Sequence, residues 1–137
     1  MKKAQVSVEF AGIIAAILMI VLSMQLYFYY LAQQALAIQN SYNAKIIGSE
    51  VYSYLSLAII TNGYQSTFSI PSNSNAQPVN ASVQNNLLLV SVGNSTSAYP
   101  LTETIYLNNS GNLTPPPFYL ASGSHLISSS NNVITIV

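Results

Sequence analysis

The sequence predicts an α+β protein in which a long N-terminal α-helix precedes a small C-terminal antiparallel β-sheet domain packed on the upper, C-terminal half of that helix. Three observations predict this fold class. Residues 10–32 contain neither a charged residue nor a proline. Beyond them, apolar residues recur at helical spacing until a Thr-Asn-Gly sequence. Residues 61–137 then change to short apolar or alternating runs separated by turn-forming residues, which is typical of strands.

The apolar segment from Phe10 to Ala32 is long enough to cross a membrane as a helix. It has 23 residues, and a hydrocarbon core needs roughly 20. A conventional cleaved secretory leader has an apolar core of only about 7 to 15 residues, so this segment fits that class poorly. Because Lys2 and Lys3 precede it, the positive-inside rule places the N-terminus in the cytoplasm and the rest of the chain outside.

The helix is predicted to continue beyond the apolar segment, over residues 5–60 in all. Thr61-Asn62-Gly63 supplies the stop, because Asn and Gly adopt the left-handed conformation that ends helices. A helix of this length measures roughly 80 Å at 1.5 Å per residue. One face of its C-terminal half is apolar at offsets 0, 4, 7, 8 and 11, formed by Ile47, Val51, Tyr54, Leu55 and Ala58.

The region 61–137 is predicted to be an exported β-rich domain. Its Asn- and Ser-rich intervals are turn signals, and the runs between them have the length and alternation of strands. The predicted strands are 67–70, 79–83, 87–92, 104–107, 118–120, 125–127 and 133–137. The predicted turns are 93–96, 108–111 and 128–132.

Composition excludes several classes of function. Only 4% of the residues are charged, against about 25% in ordinary soluble proteins, so no basic face is available to bind nucleic acid. Without cysteine there is no disulfide framework or thiolate nucleophile. In 61–137 general acid–base groups are limited to Glu103 and His125, and no nucleophile motif accompanies the serines. We therefore expect no enzyme, no catalytic residue, no cofactor and no metal site; His125 is expected to serve packing.

The start of the chain carries a specific motif. Gln5, Ser7 and Glu9, followed by Ile13, resemble the Q-x-S-x-E-x-x-x-L signature of archaeal class III signal peptides, which occurs on type IV pilin-like subunits. Ile13 replaces the usual leucine of that signature, and the change is between two apolar residues. The resemblance covers residues 1 to about 32. It implies a type IV pilin architecture, lollipop-like, with the long helix as its stem.

In that family a membrane-embedded prepilin peptidase cuts immediately before the glutamine. The resemblance therefore implies that residues 1–4 are a leader removed between Ala4 and Gln5. The residues that the peptidase would recognise are Lys3, Ala4, Gln5 and Ser7.

The resemblance also implies how the chain assembles. In pilin-like filaments the apolar helices bundle in the centre, and the family's glutamate is thought to pair with the new amino terminus of a neighbouring subunit. By that analogy Glu9 pairs with the amine of Gln5 in another copy, which offsets the desolvation of both charges. The alternative is that Glu9 marks a helix N-terminus and is stabilised by the helix dipole. The expected filament core is Phe10, Ile13, Ile14, Ile17, Leu18, Val21, Leu22, Tyr27 and Phe28.

The function that follows from the resemblance is that of a pilin, a structural subunit of an extracellular archaeal type IV pilus-like filament used for adhesion. Its implied partners are copies of itself in a helical homopolymer, the prepilin peptidase, an assembly ATPase with its membrane platform protein, and the cell membrane before assembly. A minor, initiating pilin is a variant of this function. The alternative is a single-pass, membrane-anchored surface or solute-binding protein that does not polymerise.

Two further features bear on the surface of the protein. The aromatic group Tyr27 to Tyr30 suits either a belt at the outer membrane interface or stacking between subunits. Four sequences match the N-x-[ST] acceptor of N-glycosylation, and glycans would solubilise a domain that has almost no charge. We expect glycans on at least one of the first three. The acceptor asparagines are Asn80, Asn94, Asn108 and Asn112.

Overall fold

The computed structural model describes residues 2–131 and 133–137, with side chains described from Val8 onward. It confirms the predicted fold class, because a single long N-terminal helix is followed by a β domain made mainly of antiparallel strands. The chain forms two compact units, Met1–Leu36 and Ala37–Val137. The described residues of the first unit are helical, and the second unit contains the remainder of that helix together with the strands described below.

Helix α1 runs over Lys2–Ile60 without interruption, as a segment free of proline permits. Its last turn is closed by a hydrogen bond of 2.9 Å from the Thr61 N–H to the Leu57 carbonyl. Gly63 follows at φ +80°, the left-handed conformation that glycine adopts without strain. Its N–H then donates a 2.9 Å hydrogen bond to the Ser129 carbonyl, so the chain leaves the helix directly into the β domain.

Within the described residues, 61–131 and 133–137, the β domain has ten strands arranged in two sheets. The first sheet has the order β1-β9-β10-β6-β7, and the second has β2-β3-β4-β5 with β8 also paired to β3. Every pairing is antiparallel except that of β6 with β10, which is parallel. The bounds are β1 Gln65–Ile70, β2 Asn73–Ser74, β3 Gln77–Gln84, β4 Leu87–Val92, β5 Ser95–Pro100, β6 Ile105–Asn109, β7 Asn112–Thr114, β8 Phe118–Leu120, β9 Gly123–Ser130 and β10 Val133–Ile136.

The hydrophobic core lies between the sheets and the C-terminal half of α1. On the helix, Val51, Leu55 and Ala58 are fully buried, and Ile47 and Tyr54 pack at the margin. The buried stripe also extends back to Ala44. The strands contribute alternate residues, as a half-buried sheet requires; these include Val79, Ala81, Val83, Leu88, Val90, Val92, Ile105, Ile127, Ile134 and Ile136.

Short hairpins connect most neighbouring strands. Asn85 and Asn86, between β3 and β4, have φ values of 46° and 58°, and Ser110 and Gly111, between β6 and β7, have 53° and 93°. Positive φ at both central residues is the signature of a type I′ turn, whose twist matches that of the strands. The Asn-rich composition of the domain therefore serves its hairpins.

Candidate functional site

The candidate site begins with the apolar surface of the N-terminal unit. Within α1, from Val8 onward, an 18-residue window has a mean hydropathy of 2.2, and none of it is buried within the protein. The helix is therefore long and apolar enough to cross a membrane. A contiguous apolar surface of this size marks an interaction site with lipid or with protein.

All nine residues that were predicted to form a filament core are exposed in the single chain. Their exposed fractions range from 42% at Ile14 to 64% at Phe10. Neighbours on every side of the helix, among them Met19, Ile20 and Leu26, are exposed as well. The apolar surface therefore surrounds the helix and is not a single stripe, so it can contact several helices at once.

Two polar side chains of the N-terminal unit form hydrogen bonds within the helix. The Ser23 hydroxyl donates a 2.8 Å hydrogen bond to the Met19 carbonyl, and the Gln34 amide donates to the Tyr30 hydroxyl. The rings of Tyr27 and Phe28 lie 6.2 Å apart at an interplanar angle of 59°. Such local bonding lowers the cost of placing hydroxyl and amide groups in an apolar environment.

Glu9 stands at the N-terminal edge of this surface and is exposed. Its carboxylate forms no ion pair with a lysine among the residues whose side chains are described. The predicted partner Gln5, and the predicted peptidase-recognition residues Lys3, Ala4 and Ser7, have side chains outside the described residues. Their backbone belongs to α1, so Gln5 and Glu9 are one helical turn apart, about 6 Å along the axis.

In the C-terminal unit, α1 presents a second exposed face on the side away from the core. Ile38, Tyr42 and Ile46 are exposed there by 71%, 64% and 46%. Farther along, the Ser49 and Ser53 hydroxyls donate hydrogen bonds of 2.9 and 2.7 Å to the Ile46 and Glu50 carbonyls. Both hydroxyls therefore form hydrogen bonds with the backbone of their own helix.

The four acceptor asparagines of the N-x-[ST] sequences are not equivalent. Asn80 in β3, Asn94 in the β4–β5 turn and Asn112 at the start of β7 are exposed. Asn108 is half-buried, and its Oδ1 accepts a 2.9 Å hydrogen bond from the Gly111 N–H. The Asn108 side chain thus helps to build the β6–β7 turn.

Glu103 and His125 have separate surroundings. The His125 ring packs against Phe68 at a centroid distance of 5.5 Å, and its Nε2 lies 2.7 Å from the Ala121 carbonyl. Glu103 lines a small cavity at the end of α1 instead, with Asn62 and Ser129. In the part of the chain that the structure describes, no group of three or more His, Asp or Glu side chains comes together.

Sequence reasoning missed this cavity. The cavity joins the helix end, the β5–β6 connection and two strands, and no local sequence pattern signals such a meeting. Sequence reasoning also gave no role to Lys45, which lines a groove on α1 with Ile38 and Tyr42 and is the only Lys or Arg after Lys3.

Comparison of the chain with models of protein families, with curated proteins and with solved structures finds no match.

Proposed function

We propose that the chain is a structural subunit of an extracellular type IV pilus-like filament, held in the membrane before assembly and polymerised through its N-terminal helix. The observation that supports this most is the exposed apolar surface of α1, which continues past the membrane-length segment to Ile38, Tyr42 and Ile46. A polymer of parallel helices would bury this surface, and the burial of apolar area is the main favourable term in association.

The alternative, a single-pass anchor, uses the same segment differently. An anchor needs only roughly 20 apolar residues and commonly has charged residues at both ends. Here residues 10–44 contain no charge, so the uncharged helix extends well beyond what a bilayer covers. This excess of uncharged helix is what favours the polymer.

The amino-terminal motif supports the same function through its resemblance to class III signal peptides. In this proposal a prepilin peptidase cuts between Ala4 and Gln5, and the new amine of Gln5 pairs with Glu9 of a neighbouring subunit. An assembly ATPase and its platform protein then extract the subunit from the membrane, with its C-terminal domain already outside. Adhesion is the proposed use of the filament.

The experiment is N-terminal mass spectrometry of filaments sheared from cells that produce the chain. The expected mature chain begins at Gln5. An Ala4→Leu variant should remain a precursor in the membrane, because it places a bulky residue at the cleavage site, whereas the matched Ala11→Leu variant should be cut normally. Recovery of intact Met1 chains in the membrane fraction alone, with no filaments, would support the anchor.

N-glycans are part of the proposal for the exterior. Of the residues in 61–137, Glu103 is the only one with a formal charge at pH 7, so electrostatic repulsion contributes little to keeping filaments apart. Asn80 and Asn94 are exposed, so glycans attached to them would extend into solvent and would hydrate this surface.

A further inference from the structure

A concave polar site with a carboxylate in its lining lies beside Glu103. It has a volume of about 290 Å³ and lies where α1 ends. The polar lining is Glu103, Asn62 and Ser129, and the apolar lining is Ile59, Ile60 and Ile134. It therefore combines hydrogen-bond acceptors with an apolar wall.

Ser129 is the buried polar residue of this lining, whereas Glu103 and Asn62 are exposed. Ser129 is 6% exposed, and its backbone N–H and carbonyl are paired with Tyr64 and Gly63, so its hydroxyl is the group that remains for a ligand. Glu103 has no ion-pair partner among the described residues. An ammonium group on an apolar stem, which is a lysine side chain, matches both parts of the lining.

Lys45 is the one lysine available for this role once residues 1–4 are removed. It is exposed on α1 and lines a shallow groove with Ile38 and Tyr42. Its backbone position is fixed, because its carbonyl accepts a 2.7 Å hydrogen bond from the Tyr99 hydroxyl. Its ammonium group, in contrast, forms no ion pair with a carboxylate of the described residues.

Lys45 cannot reach the cavity of its own chain. Fifteen residues of α1 separate it from Ile60 at the cavity, which is about 22 Å along the helix axis and exceeds the length of a lysine side chain. A pair between Lys45 and Glu103 therefore has to join two chains.

We propose that Lys45 of one copy of this chain inserts its ammonium group into the cavity of a second copy and pairs there with Glu103, with Ser129 and Asn62 as further acceptors. This rests on the proposed function, because it supplies a contact between subunits of the polymer. The two surfaces lie on different parts of the molecule, so the contact is heterologous, and heterologous contacts generate rings or open helical filaments. Neighbouring copies with parallel helices would be offset by about 22 Å.

Charge reversal tests this pair in the full-length chain. Lys45→Glu and Glu103→Lys should each lower the yield of sheared filaments by about tenfold or more, because each brings like charges together. The double variant should return to within about twofold of the wild-type yield. The controls use Glu50, an exposed carboxylate on the same helix. They are the single variant Glu50→Lys and the double variant Lys45→Glu/Glu50→Lys. A filament yield restored in Lys45→Glu/Glu50→Lys but not in Lys45→Glu/Glu103→Lys would overturn the proposal.

Zero-length carbodiimide cross-linking of filaments provides a second test that needs no variant. Filaments made from a mixture of ¹⁴N and ¹⁵N chains should give a Lys45–Glu103 peptide with one light and one heavy half. A Lys45 cross-link to Glu50 or Glu9 alone would overturn the pair while leaving the filament intact. If the wild-type chain makes no filaments, both the pair and the proposed function fail.

Discussion

The hydroxyl of Tyr99 in β5 donates a 2.7 Å hydrogen bond to the backbone carbonyl of Lys45 in α1. The same ring stacks on Tyr52 at a centroid distance of 5.4 Å and lies over Gly48, where a Cβ atom would be 2.4 Å from its Cε2. This contact attaches the edge strand of the second sheet to the helix. It works only because position 48 has no side chain.

Gly48→Ala should therefore destabilise the β domain. Alanine favours a helix over glycine by about 1 kcal/mol, but overpacking against a ring held on two sides costs typically about 1 to 3 kcal/mol. We expect a net loss of about 1 kcal/mol, measured by thermal unfolding of the full chain in detergent.

Gly12→Ala is the matched control, because nothing lies within 4 Å of the added Cβ atom. It should leave unfolding of the β domain unchanged. A Gly48→Ala protein more stable than the wild type by about 1 kcal/mol would show that the Tyr99 ring moves aside freely, because only the gain in helix propensity would remain.

Asn40 is a buried polar residue near the start of the C-terminal unit. It is 6% exposed, and its Oδ1 has no hydrogen-bond partner among the residues that the structure describes. Asn40→Asp would place a carboxylate in that position, where burial disfavours the charged form and raises the pKa of the introduced carboxyl. The variant should therefore lose free energy of unfolding at pH 7, by about 1.4 kcal/mol for each unit by which that pKa rises.

The sign of the pH dependence follows from linkage. Because the folded pKa lies above the unfolded value of about 3.9, the folded variant binds more protons, and its stability falls as pH rises through that interval. The difference in melting temperature from the wild type should therefore be small at pH 3 and large at pH 7. Gln39→Glu, at the exposed neighbouring position, should show no such dependence.

The sequence predicted the fold class because its signals are local and strong. Strands β4 and β8 have the predicted bounds, and α1 ends at Ile60, beside the predicted stop. Strand β4 lies between Asn85-Asn86 and Gly93-Asn94, and α1 is followed by Asn62-Gly63, so the structure uses these Asn and Gly residues in turns. Strand β8 is bounded by Pro117 and by Ala121-Ser122-Gly123. The apolar stripe on α1 was also predicted, since helical periodicity persists over several turns.

Three strands were missed for physical reasons. Strand β5, Ser95–Pro100, is polar and exposed at alternate residues, and it exists because it pairs with β4 along its whole length. Strand β7 is fully exposed, and β2 has two residues. Propensity cannot identify such strands, because cross-strand pairing overrides it. The division into two sheets and the parallel pair of β6 with β10 depend on long-range topology.

The candidate site was predictable only in part. The apolar surface around α1 follows from composition, and the exposure of its residues agrees with an interaction surface. The cavity beside Glu103 could not be predicted in this way, because its polar residues Asn62, Glu103 and Ser129 are distant in sequence. A lone carboxylate in an uncharged domain gives no hint of which hydroxyl and amide will stand beside it.

Glycosylation can be tested on native filaments. We expect glycopeptides at one or more of Asn80, Asn94 and Asn108, and foremost at the first two, because both are exposed whereas Asn108 is engaged with Gly111. Asn80→Gln and Asn94→Gln should each reduce the intact mass by one glycan where that residue is occupied. Asn73→Gln, at an exposed asparagine outside any acceptor sequence, should not. Intact masses equal to the bare polypeptide would remove the glycan coat from the proposal.

Glu9→Gln separates the two roles proposed for the carboxylate. If Glu9 only stabilises the helix start, its loss costs about 0.3 to 1 kcal/mol, and filaments should form. If it pairs with the Gln5 amine of a neighbour inside the apolar bundle, the substitution leaves that amine without its partner at every junction, a loss of about 3 to 5 kcal/mol each. We expect cleavage between Ala4 and Gln5 to proceed, because the scissile bond is unchanged, while the mature chain accumulates in the membrane.

Immunoblots of the membrane and sheared fractions measure where the mature chain accumulates, with Glu50→Gln as the control on the same helix. Normal filament abundance would exclude the pairing, and an uncut precursor would assign Glu9 to peptidase recognition, because cleavage precedes any contact between subunits.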